Sequence, residues 1–170
     1  MPPAVAGSRG SAPGVRQGRT GRQGASALSR VGPQRGHLRD ALVTFRALLG
    51  EDDDGDPARW TAAVARALDT LAAAWDEHVE FTEAPDGLFD ELLDESVEVA
   101  PDVDHLRRDH EAVSATIDRA RRLLGAPGAG PADERLVQTL RAVAKQVEQH
   151  RRRGADLLYQ VYSVDVSAGD

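Results

Sequence analysis

The chain has 170 residues, a formal net charge of −7 and no cysteine. That length suits one domain with a proper core, and the missing thiols exclude disulfides, cysteine-held zinc, iron–sulfur clusters and thiol catalysis. No run of about 18 apolar residues is present to span a membrane, and the first residues lack the apolar core of a secretory signal, so a cytoplasmic protein is expected.

The charge is unevenly spread. Residues 1–35 hold six arginines (Arg9, Arg16, Arg19, Arg22, Arg30 and Arg35) and no acid, whereas the remaining 135 residues hold 15 basic and 28 acidic groups. Residues 1–34 are rich in Gly, Ser, Pro, Arg and Gln, with almost no apolar pattern to offset the entropy of ordering. They are expected to form a disordered basic segment ahead of a domain over residues 35–165. Nucleic-acid binding is not expected from it, because the charge is dilute and no aromatic side chain is available to stack on bases.

Four amphipathic stretches follow. His37, Leu38, Ala41, Leu42, Phe45, Leu48 and Leu49 predict a short first helix that Gly50 ends. The acidic loop Glu51–Asp56 is not an EF-hand: with Gly55 at the obligatory glycine, Gly50 and Thr61 fall where carboxylates are required. Asp56-Pro57 is an N-cap followed by proline at the first helical position. The second helix carries Trp60, Val64, Leu68, Leu71, Trp75, His78 and Thr82 on one face and breaks at Pro85-Asp86-Gly87. Leu88, Phe89, Leu92 and Leu93 predict a short continuation capping one end of the domain. Pro101-Asp102 opens the third long helix, with Val103, Leu106, His110, Val113, Ile117, Ala120 and Leu124 spaced by fours and threes. The linker Gly125–Pro131 leads to the last and longest stripe: Leu136, Leu140, Val143, Val147, His150, Gly154, Leu157 and Val161. Four long stripes and no strand pattern predict an all-α, up-and-down four-helix bundle.

Three histidines interrupt these stripes. His78, His110 and His150 stand at inward positions on three different helices, where burying an imidazole without a partner costs about 2 kcal/mol or more. One such residue is usually a hydrogen-bonded core histidine. Three together point to a shared site, since helical cores are where imidazole and carboxylate metal sites are built. His37 lies at the edge of the first stripe, and helical phase makes His105 the most exposed of the five.

The distribution of one, one, two and one histidines over four helices, with Trp75-Asp76-Glu77-His78-Val79-Glu80-Phe81-Thr82-Glu83 and His105-Leu106-Arg107-Arg108-Asp109-His110-Glu111, resembles the hemerythrin-like (HHE cation-binding) bundles over about His37 to Tyr162. The resemblance implies a non-haem iron centre bridged by carboxylates, with a metal ion and O2 as partners, and binding, sensing or storage more than catalysis. It implies metal ligation by His37, His78, Glu83, His110 and His150.

The sequence departs from the family pattern at three places. Thr82 stands four after His78 where the pattern has Glu, and Glu83 follows it. Asp109 stands four after His105 where the pattern has His. Ala155 stands five after His150 where the pattern has Asp, and Asp156 follows. One residue rotates a side chain by about 100° around a helix. Four readings therefore stay open: a di-iron centre accommodated by a local π-bulge, a reduced site holding one iron or zinc ion through His78, His110 and His150 with His37 or Glu83 completing it, a metal-free interaction or regulatory module, and an unrelated bundle. No serine nucleophile elbow and no phosphate loop is present. The Arg107-Arg108, Arg121-Arg122 and Arg151–Arg153 groups are interleaved with acids and read as ion-pairing surface. Tyr159 and Tyr162 are placed to close one end of the bundle.

Overall fold

The computed structural model describes residues 20–50 and 56–164, with side chains from 31–50 and 56–163. The expected tail up to residue 19, the acidic loop 51–55 and the last six residues lie outside the described residues. What is described is helical, with no strand: α1 (Thr20–Gly50), α2 (Pro57–Glu83), α3 (Leu88–Glu95), a 3-10 turn (Val97–Val99), α4 (Ala100–Leu124) and α5 (Glu134–Val164).

The helix ends follow local chemistry. Asp56 caps α2, its carboxylate accepting from the backbone N–H of Ala58 and Arg59, both at 3.1 Å. Asp133 does the same for α5 through the N–H of Leu136. Between α2 and α3 the chain turns through Asp86 at φ 58° and Gly87. A Cβ on Gly87 would come within 2.6 Å of the Ala84 carbonyl oxygen, so only glycine fits there.

The first helix starts well before the boundary expected near Arg35. Its early residues carry no apolar stripe, and Pro33 removes one backbone donor inside it. The tertiary reason for the extension is Val31, which is buried among residues of α3, α4 and α5. The other long helices start and stop within about a turn of expectation.

Each long helix packs on two others: α1 on α2 and α5, and α4 on α2 and α5, so the four close a ring. Two apolar clusters fill it. The larger contains Leu38, Phe45, Leu68, Trp75, Ile117, Leu140 and Val147, among others. The smaller contains Val31, Phe89, Leu92, Val103, Leu106 and Leu157, among others. Helices α1 and α4 run from the smaller cluster to the larger, whereas α2 and α5 run the other way.

A polar layer separates the clusters, and every long helix contributes to it. Arg35 lies between Val31 and Leu38, His78 between Trp75 and Phe81, His110 between Leu106 and Val113, and His150 between Val147 and Leu157.

Candidate metal centre

Helical phase points His78, His110 and His150 inward. The pairing of antiparallel helices brings the three to one level. His78 Nε2 lies 2.9 Å from His150 Nε2, and His110 Nε2 lies 3.3 Å from the same atom. One ligating atom from each residue falls within 4.8 Å of the other two, and this is the one such cluster of His, Asp or Glu side chains among the described residues. His110 and His150 are buried and His78 is half-buried.

An apolar wall surrounds the imidazoles. The fully buried Trp75 ring touches all three, with centroids 5.5, 5.4 and 5.0 Å from those of His78, His110 and His150. Its indole N–H donates to Ser114 Oγ at 3.2 Å, which holds the ring in place. Phe89 stacks on His110 at 5.6 Å.

This setting keeps the histidines neutral. Burial pushes His78 down to about 3, aided by His110, Arg35 and Arg151. Burial pushes His150 down to about 2, with His78, His110 and Arg153 adding to it. His110 is also lowered by burial, against the opposing pull of Glu83. A neutral imidazole has a lone pair to give, which ligation requires.

Two of the outward-facing nitrogens lie near carboxylates. His110 Nδ1 lies 2.5 Å from Glu83 Oε1, so its proton sits on Nδ1 and donates there, leaving Nε2 as a lone pair. His150 Nδ1 is buried without a hydrogen-bond partner among the described residues. Asp109 Oδ2 lies 3.6 Å from it and is ion-paired with Arg153.

The remaining expected ligands are elsewhere. His37 is exposed and bonded to Glu77 Oε2 at 3.0 Å, away from the cluster. Glu83 reaches the back of His110 rather than the space between the Nε2 atoms. Thr82, at the family's carboxylate position, turns its hydroxyl to its own helix and donates to the His78 carbonyl at 2.9 Å. His105 is 51% exposed, yet His37 at 55% exceeds it, because the margin of α1 at His37 is uncovered. No family model, no curated protein and no solved structure matches the chain.

The residues present fit a metal ion. An ion about 2.0–2.1 Å from each imidazole nitrogen sets those nitrogens roughly 3.0–3.4 Å apart. The separations of 2.9 and 3.3 Å sit at or near that span. The orphaned Nδ1 of His150 adds a chemical argument. If the imidazoles bond one another with His150 donating from Nε2, its bare Nδ1 faces the Asp109 carboxylate. With a cation among the Nε2 atoms, the proton moves to Nδ1 and points at Asp109 instead.

Asp109 and Arg35 are the site-adjacent residues that sequence reasoning did not assign. Asp109 sits beside His110 in the chain, but its nearness to His150 depends on how α4 and α5 are set against each other.

Proposed function

We propose that the chain is an up-and-down four-helix bundle of hemerythrin-like type whose centre is reduced to His78, His110 and His150 and holds one iron or zinc ion. The ring of alternating helices supports the bundle reading. The observation that carries the metal reading is the convergence of three neutral imidazoles, with Glu83 bonded to His110 Nδ1 and Asp109 3.6 Å from His150 Nδ1. Glu83 acts as a positioning residue, fixing the His110 tautomer that presents a lone pair inward, and Asp109 stands where it would accept from His150 Nδ1 once an ion is bound. Neither bridges two ions, and His37 lies too far aside to complete a dinuclear set, so a single ion is the reading the geometry favours.

When bound, such an ion supplies Lewis acidity, and iron also supplies one-electron chemistry toward O2. The protein contributes three neutral donors, a dry wall built from Trp75 and Phe89, and two outer carboxylates that offset the ion's charge. Oxygen or iron binding or sensing is the function this supports, with no residue assigned to catalysis.

One contact favours a second reading. The 2.9 Å approach of His78 to His150 is also a good N–H···N hydrogen bond, as expected of a metal-free module whose histidines are structural. Titration of tag-free protein with Co(II), Zn(II) and Fe(II) decides between them. One equivalent should bind, Co(II) should develop visible ligand-field bands, and His110→Ala should lose both. Absence of stoichiometric binding, with unchanged melting in chelator and in metal, overturns the centre.

A further inference from the structure

The smaller apolar cluster does not close completely on the histidine layer. A cavity of about 40 Å³ lies there, lined by His78, His150, Phe81, Leu88 and Leu157 among others. Protein interiors are close-packed, so a void at this level needs a cause. Gly154 supplies it. On the inner stripe of α5 this position falls between His150 and Leu157, and a Cβ built there would meet no heavy atom within 4 Å. Glycine inside a helix costs about 1 kcal/mol relative to alanine, and a larger residue would also fill the space.

The other unusual group on its wall is Arg35. This guanidinium is half-buried and has no carboxylate partner among the described residues. Burial, and then the neighbouring Arg151, lower its pKa. Arg151 itself pairs with Glu148, so of the two arginines lining the cavity Arg35 is the one without a carboxylate partner among the described residues. Partly burying an unpaired charge is unfavourable unless an anion meets it.

Largely apolar walls, an unpartnered guanidinium in the lining and room for about three water-sized groups suit the tail of a small monoanion with an apolar body. The geometry points to the cavity as a binding site for a short-chain carboxylate of propionate size, its headgroup on Arg35 and its tail in the space that Gly154 leaves open. The site does not require the metal, because its walls and its cation belong to the chain itself.

The test is an NMR titration of the full chain in chelator with propionate and with neutral propionamide. Propionate should shift the signals of Gly154, Leu157 and Phe81, and propionamide should bind at least roughly tenfold more weakly. Arg35→Gln should weaken propionate by a similar factor. Gly154→Leu should abolish its binding while melting at a higher temperature than wild type, which also shows that the variant folds. No saturable shift in wild type, or equal propionate affinity in wild type and Arg35→Gln, overturns the proposal. Zinc titration of Gly154→Leu separates this site from the metal centre. Retained zinc with lost propionate supports the cavity assignment, and lost zinc with retained propionate refutes it.

Discussion

At the scale of single residues, His150 concentrates the chemistry of the site. It is the histidine that both others approach, and its second nitrogen has no hydrogen-bond partner among the described residues. Its folded-state pKa, about 2, lies below the ordinary 6.5, so the unfolded chain takes up a proton that the metal-free folded chain refuses. Stability from this group is full above about pH 6.5 and is lost as pH falls toward the folded value. Between pH 7 and pH 5 the loss is about 2 kcal/mol for one such histidine. His150→Leu should therefore flatten the acid sensitivity of the metal-free protein by about one proton, as read from urea melts across that range, and should abolish metal binding. An unchanged slope would place His150 in contact with water. Glu83 offers a complementary test. Glu83→Gln keeps the shape but removes the charge behind His110, and should lower metal affinity by about 10–100-fold in a competitive chelator titration. The arginine groups behave as surface: Arg107 pairs with Asp104, Arg121 with Asp69, Arg151 with Glu148 and Arg153 with Asp109. Tyr159 is exposed, and Tyr162 packs against the smaller cluster at the end of the domain.

Among the elements, α1 differs most from its sequence pattern. Its strong apolar face begins at Leu38, yet Val31 is seated nearly two turns earlier against the smaller cluster. That single anchor carries Arg35 to the edge of the histidine layer. Val31→Ala should cost about 2 kcal/mol, the loss of a buried side chain together with the gap left behind, as measured by denaturant unfolding. A cost near zero would mean that the helix before Leu38 contributes nothing to the domain. In α5 the inner stripe contains both His150 and Gly154, one polar and one absent side chain within the same turn. An ordinary core helix would carry two aliphatic residues there. Helix α3 closes the smaller cluster through Leu88, Phe89 and Leu92, and Phe89 extends that closure to the face of His110.

For the whole molecule, the polar layer divides what would otherwise be one continuous core. Burying polar groups is seldom the most stable solution, and replacing them with well-packed apolar residues is often neutral or stabilising by about 1–4 kcal/mol. The variant His78→Leu/His110→Leu/His150→Leu should join the two clusters, melt at or above the wild-type temperature, and bind no metal. A strong loss of stability would instead identify the layer as a structural network. In the wild type, an ion at about a thousandfold over its dissociation constant should add about 4 kcal/mol through mass action, visible as a calorimetric shift that a chelator reverses.

The all-helical character, the caps at Asp56, the linker at 125–131 and the inward placement of His78, His110 and His150 were legible in the sequence because each is local. A helix turns about 100° per residue, so a stripe fixes which face a side chain takes. The meeting of the Nε2 atoms within about 3 Å is not local. It depends on how far each helix slides along its neighbours, which is set by packing such as Trp75 against the imidazoles. Glu83 illustrates the difference: its spacing from His78 signalled a shift around the helix, and only the approach of α4 turned that shift into a bond to the back of His110. Arg35 and Asp109 carried no periodic signal at all, since a charged residue at the margin of a stripe resembles any solvated one. Gly154 read as one more inner position. The tertiary structure made it part of a cavity wall, because residues of the other helices line the same space.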